Sequence, residues 1–149
     1  MGQLDHTLAR HEIVGVDTSP FIYLWERHSR YFPLAEEMFQ YLRQPQVQGV
    51  TSIITLIEAC VHPQRQGYPD LVQAYENALL RSQQVRMLSI DLAIARKAID
   101  LRATYAIHVP DALQIAAALE SGATLFVTND RRLTKVREIE FLLFDDYSQ

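Results

Sequence analysis

A chain of 149 residues, 48% of them apolar and 21% charged, has the size and composition of one globular domain around one packed core, and is too short for two. Cys60, the only cysteine, excludes an intrachain disulfide and a cysteine-rich metal site, a pattern that suits a reducing compartment. A formal net charge of −4 gives the whole molecule no attraction for polyanions, so contact with nucleic acid has to come from a local patch, or from clustered acids neutralised by a cation.

Met1 to Arg10 is polar and charged where a secretory signal needs an apolar core, and no apolar run approaches membrane-spanning length. A cytoplasmic protein with no membrane partner is expected, folded as a single domain over residues 1–149. The first predicted element is a strand over Glu12 to Val16, ending at Asp17. Ser19 is placed to cap a helix and Pro20 to open it, which predicts a helix from Phe21 to His28. A second helix is predicted from Pro33 to Arg43, with Leu34, Met38, Tyr41 and Leu42 as its apolar stripe.

Val47 to Thr51 reads as the next strand, and Ser52 can cap a helix from Ile53 to about His62 that Pro63 closes. A helical pattern over Pro69 to Gln83, a strand over Val85 to Ile90 and a long helix from Asp91 to Tyr105 follow. Asp111 opens a further helix to about Glu120, ended by Ser121-Gly122. Thr124 to Thr128 is a strand, Arg131 to Val136 a short turn or helix, and Glu140 to Phe144 the last strand. This alternation predicts a three-layer α/β/α sandwich with a central, mainly parallel sheet of about five strands.

Open parallel sheets carry their sites outside the carboxyl ends of the strands. Four acids map to that edge: Asp17 after the first strand, Asp130 after the fourth, Asp111 at the start of the helix that precedes the fourth, and Glu58 early in the helix after the second. Each has a structural alternative. Asp111 and Gln114 have the spacing of a capping box, Asp130 suits a turn or cap, Asp17 suits turn chemistry, and Glu58 can lie on a narrow polar stripe with Thr55. Together they cannot be idle, because two carboxylates about 5 Å apart at an effective dielectric of about 20 repel by roughly 3 kcal/mol. Such a cluster must take up protons or hold a cation, and oxygen ligands without His or Cys select Mg²⁺ or Mn²⁺ over zinc. His62 and His108 stand alone and are read as structural.

In Val14-Gly15-Val16-Asp17-Thr18-Ser19, in the Glu58 helix from Ser52 to Ala59, and above all from Val109-Pro110-Asp111 through Leu119 to Leu125-Phe126-Val127-Thr128-Asn129-Asp130, the chain resembles the PIN-domain family, in particular the toxins of VapBC-type toxin–antitoxin systems. The resemblance covers nearly the whole chain. It implies a PIN-like fold and a Mg²⁺- or Mn²⁺-dependent endoribonuclease, with Asp17, Glu58, Asp111 and Asp130 as catalytic, metal-binding acids. It further implies that Thr128 assists through its hydroxyl, with Thr18 or Ser19 as further candidates at the same edge, and that the partners are RNA and a cognate antitoxin.

Arg131, Arg132, Lys135 and Arg137 follow Asp130 and can meet RNA phosphates or form a solvated face. A haloacid-dehalogenase-type phosphatase would need a second Asp where Ser19 stands, and no glycine-rich phosphate loop with Lys occurs. The remaining alternative is a PIN-like scaffold that binds RNA or protein without cutting. Phe21-Ile22-Tyr23-Leu24-Trp25 with Tyr31-Phe32 is richer in large apolar groups than one helix face needs, so part is expected in the core and the excess on a homodimer or antitoxin-binding surface.

Overall fold

Apolar β-branched runs form the middle of the molecule, and the computed structural model describes residues 2–148 of it. Met1 and Gln149, the ends of the expected domain, lie outside the described residues. The order is α1 (Gln3–Leu8), β1 (Ile13–Val16), α2 (Thr18–Trp25), α3 (Phe32–Tyr41), β2 (Gln48–Ser52), α4 (Ile53–Arg65), α5 (Pro69–Arg81), β3 (Val85–Leu88), α6 (Leu92–Tyr105), α7 (Val109–Glu120), β4 (Leu125–Thr128) and β5 (Glu140–Leu143). Single 3₁₀ segments lie at Arg131–Lys135 and Phe144–Asp146.

The five strands form one parallel sheet in the order β3-β2-β1-β4-β5. The chain builds outward from β1 through β2 to β3, then crosses back to lay β4 on the other side of β1. That reversal leaves a crevice between the carboxyl ends of β1 and β4, where parallel sheets hold their ligands. Alternation within the strands feeds two cores. Val14, Val16, Leu125 and Val127 pack under α1, α2 and α3, while Phe126 and Val50 pack under α6 and α7. Gly15 lets α7 approach the sheet, since a Cβ there would lie 2.7 Å from Ala118 Cβ and 2.9 Å from Phe126 Cδ1.

Several helix ends differ from expectation. α1 was not predicted: it is six residues long, lacks a side-chain cap, and exists because Leu4 and Leu8, four apart, are both buried. α2 begins at Thr18 with Asp17, not Ser19, as its N-cap. Pro20 therefore lies inside the first turn, where its missing N–H has no intrahelical partner to lose. Pro63 does not close α4, which runs to Arg65. Pro63 sits in the last turn with its ring buried, and forfeits one backbone hydrogen bond there.

α7 starts at Val109 with His108 as N-cap, so Asp111 is its third residue and forms no capping box with Gln114. The aromatic run of α2 is mostly inside: Phe21 is buried, and Tyr23, Leu24, Trp25 and Tyr31 pack against the core. Every residue of the run except Phe21 stays half-buried, and none is among the strongly exposed apolar groups. Exposed large apolar groups lie instead on other elements, among them Ile57 and Val61 of α4 and Leu71 and Leu80 of α5.

Candidate active site

Because β1 ends in an acid that caps the helix behind it, Asp17 is fixed by its own backbone. Its Oδ1 accepts from Thr18 N at 2.8 Å, and its Oδ2 accepts from Thr128 Oγ1 at 2.7 Å across the β1–β4 crevice. Thr128 Oγ1 also accepts from Asp130 N at 3.1 Å, so one buried hydroxyl ties the two strand ends together. Thr18, the first residue of α2, donates through Oγ1 to Glu58 Oε1 at 2.6 Å, which turns Glu58 toward the cleft and not along a polar stripe with Thr55. Thr55 is buried.

Asp17, Thr18, Ser19, Glu58, Asp111, Thr128 and Asp130 line one cleft of about 530 Å³, with Ile22, Tyr23 and Asn129 completing its wall. All four predicted acids and all three predicted hydroxyls thus face one space. Asn129 holds the Tyr23 hydroxyl at 3.2 Å. The basic residues divide: Arg132 and Lys135 line a small adjoining hollow with Asp111 and His108, whereas Arg131 is turned onto Asp146 at 2.6 Å.

The acids do not respond alike. Burial pushes the Asp17 carboxyl up from 3.8 to about 6, the hydrogen bonds from Thr128 and Thr18 oppose this, and the charges of Glu58 and Asp111 add to the rise. Asp111 is also raised, by burial first and then by the charge of Asp130. Asp130 is lowered, because Arg132 grips both of its oxygens, at 2.9 Å through Nε and 2.6 Å through Nη2. Burial first, with neighbouring carboxylates adding to it, therefore strains two of the four acids, while Asp130 is neutralised locally.

As they stand, no three His, Cys, Asp or Glu side chains among the described residues are gathered closely enough to grip a single ion. Glu58 is turned onto Thr18, and Asp130 onto Arg132. The donor set still fits a hard divalent cation, since only oxygens converge on the cleft and two of its carboxyls carry a penalty that a cation would relieve. For an ion to be held by all four acids, the carboxylates must come closer together than they stand here.

Sequence reading missed Gln114. It is buried behind Asp17, with Nε2 at 3.3 Å from Asp17 Oδ1, 3.2 Å from Thr18 Oγ1 and 2.8 Å from Thr55 Oγ1. The available signal was a lone amide within Ala112-Leu113-Gln114-Ile115-Ala116-Ala117-Ala118, otherwise an unbroken apolar helix.

Fold and cleft together define an α/β/α domain with an acidic site at the reversal point of a parallel sheet. The family follows from comparison with known proteins: the model described as "PIN domain" matches residues 14–139, and the chain belongs to that family. Comparison with curated proteins gives no match.

Solved structures that share the fold include the following three. The chain is similar to a toxin–antitoxin complex from Klebsiella pneumoniae at 20% identity and a TM-score of 0.66, over 89% of this chain and 97% of that one. VapBC2 from Rickettsia felis bound to a promoter DNA fragment matches at 15% identity and 0.69, over 88% and 98%. DNA-bound VapBC from Salmonella typhimurium matches at 18% identity and 0.68, over 89% and 98%. No helix among the described residues is long and apolar enough to cross a membrane.

Proposed function

We propose that the chain is a Mg²⁺- or Mn²⁺-dependent endoribonuclease and the toxin of a toxin–antitoxin pair. The observation that carries this reading is the convergence of Asp17, Glu58, Asp111 and Asp130 on one cleft at the β1–β4 reversal, with the Asp17 and Asp111 carboxyls raised from their ordinary value by burial and by neighbouring charge. The similarity to a toxin–antitoxin complex and to two DNA-bound VapBC assemblies supports the second half.

In this reading the four acids are ligands. A bound ion would lower the pKa of a water molecule and steady the charge on the phosphate under attack. The rest falls to the chain itself. Thr128 and Thr18 orient Asp17 and Glu58 through the hydrogen bonds described above, and Ser19 adds a hydroxyl at the cleft wall. In this reading Arg132 and Lys135, which line a hollow with Asp111, would meet an RNA phosphate and supply the local attraction that net charge denies. The exposed apolar side chains of α4 and α5 are the surfaces available to an antitoxin or to a second copy in a homodimer.

The test is cleavage of single-stranded RNA in Mn²⁺, in chelator, and by Asp17→Asn. Metal-dependent cleavage lost in the variant is expected. RNA binding that persists without any cleavage points instead to a non-catalytic scaffold, and recovery of the protein from its source without a bound partner counts against the toxin reading.

A further inference from the structure

Among the described residues, the buried polar side chains are Thr51, Ser52, Thr55, Gln114 and Thr128, and all five belong to the hydrogen-bond network around Asp17. A domain that concentrates its buried polar groups at one point has satisfied their hydrogen bonds there, because each would otherwise cost free energy.

Counting protons fixes the direction of the bonds around Gln114, and leaves the 3.3 Å approach of Thr18 Oγ1 to Thr55 Oγ1 with no proton to share. The Thr51 hydroxyl donates to Val16 O at 2.8 Å, so in the 2.8 Å contact between Thr51 and Thr55 the donor is Thr55. Thr55 has then no proton left and must accept from Gln114 Nε2. The Thr18 hydroxyl is likewise committed to Glu58, so toward Gln114 it can only accept. Asp17 Oδ1 is an acceptor when ionised. On the other side of the amide, Ser52 Oγ accepts from Ile54 N at 3.1 Å and donates to Gln114 Oε1. One amide hydrogen of Gln114 therefore serves Thr55, and the other lies between Asp17 and Thr18. A flipped amide would set its oxygen against three acceptors.

We infer that Gln114 is a positioning residue for the cleft: its amide sets the orientation of Asp17, and through Thr18 that of Glu58, before an ion arrives. This rests on the reading of the cleft as a metal-dependent nuclease site. Neither a methionine of similar size nor a glutamate of similar shape can replace it, since the first has no donor and the second, when ionised, presents an acceptor to Asp17.

Mn²⁺ binding by calorimetry, RNA-cleavage kinetics and thermal melting are measured on wild type, Gln114→Met and Gln114→Glu. Both variants are expected to lose Mn²⁺ affinity and kcat by about 10- to 100-fold, the range for residues that orient metal ligands, with KM for RNA within about twofold. Gln114→Met that melts lower yet binds Mn²⁺ and turns over like wild type overturns the inference, because Gln114 would then only fill space. Should Gln114→Met not fold, Thr55→Val removes the acceptor that anchors the same amide. Mn²⁺ affinity reduced several-fold supports the inference, and unchanged affinity overturns it. Wild-type protein that neither binds Mn²⁺ nor cuts RNA overturns the nuclease reading and this inference with it, whereas an active wild type with indifferent variants overturns the inference alone.

Discussion

Replacing Asp17 by asparagine separates the electrostatics of the cleft from its chemistry. The Asp17 carboxyl moves from 3.8 to about 6 on folding. Its folded value is the higher one, so the stability it allows is fully present below about pH 3.8 and is lost as pH rises through about 6. At roughly 1.4 kcal/mol per pH unit, the loss above about pH 7 comes to about 3 kcal/mol. Asparagine escapes that cost and keeps an oxygen for Thr18 N, but its amide cannot accept from Thr128, which returns about 1 kcal/mol.

The metal-free variant should therefore be about 2 kcal/mol more stable than wild type at about pH 7.5, a rise in Tm of about 4–8 °C for a chain of this size. At about pH 4.5 the cost of Asp17 shrinks to about 1 kcal/mol and the two melting curves should nearly coincide. Mn²⁺ at about 100 times its Kd would add about 2.7 kcal/mol to wild type and much less to the variant, reversing their order. The assay is thermal or urea denaturation in chelator and in Mn²⁺ at both pH values. Equal stability of the two chelated proteins at about pH 7.5 would refute the argument that burial and neighbouring carboxylates strain Asp17.

Asp111→Asn should abolish cleavage with a change in stability under about 1 kcal/mol, because relief of a buried carboxyl offsets the lost charge at the α7 N-terminus; full activity in a cleavage assay removes Asp111 from the site. Arg132→Gln should tighten Mn²⁺ binding several-fold by calorimetry, since it frees both oxygens of Asp130 and removes a competing positive charge, and unchanged affinity would show that the pair does not compete with an ion. Gly15→Ala should cost about 1–3 kcal/mol in urea denaturation, because its Cβ meets Ala118 and Phe126 well inside contact distance, and a neutral effect would mean that α7 can move off the sheet.

Legibility tracked the range of the interaction responsible. The strand ending at Asp17, the Ser52 cap and the long α6 helix depend on neighbours within four residues, and each stands where local pattern places it. Helix ends that depended on packing did not: α1 is held by Leu4 and Leu8 in the core, and α4 runs past Pro63 because that ring is buried.

The same division runs through the cleft. The acids were readable one by one, because a polar residue at a strand end or in an apolar helix stands out against its own neighbours. Gln114 looked like the partner of Asp111 in a local capping box. Its amide instead faces Thr55 and Asp17, 59 and 97 residues away in the chain, and only the packing of α7 against β1, β2 and α4 brings them together. Composition and periodicity therefore sufficed for an α/β sandwich with acids at one edge. Which acids are strained and which is neutralised by Arg132 was decided by burial and side-chain direction, because the free energy of a carboxylate depends on the water and charge around it, which lie in space and not along the chain.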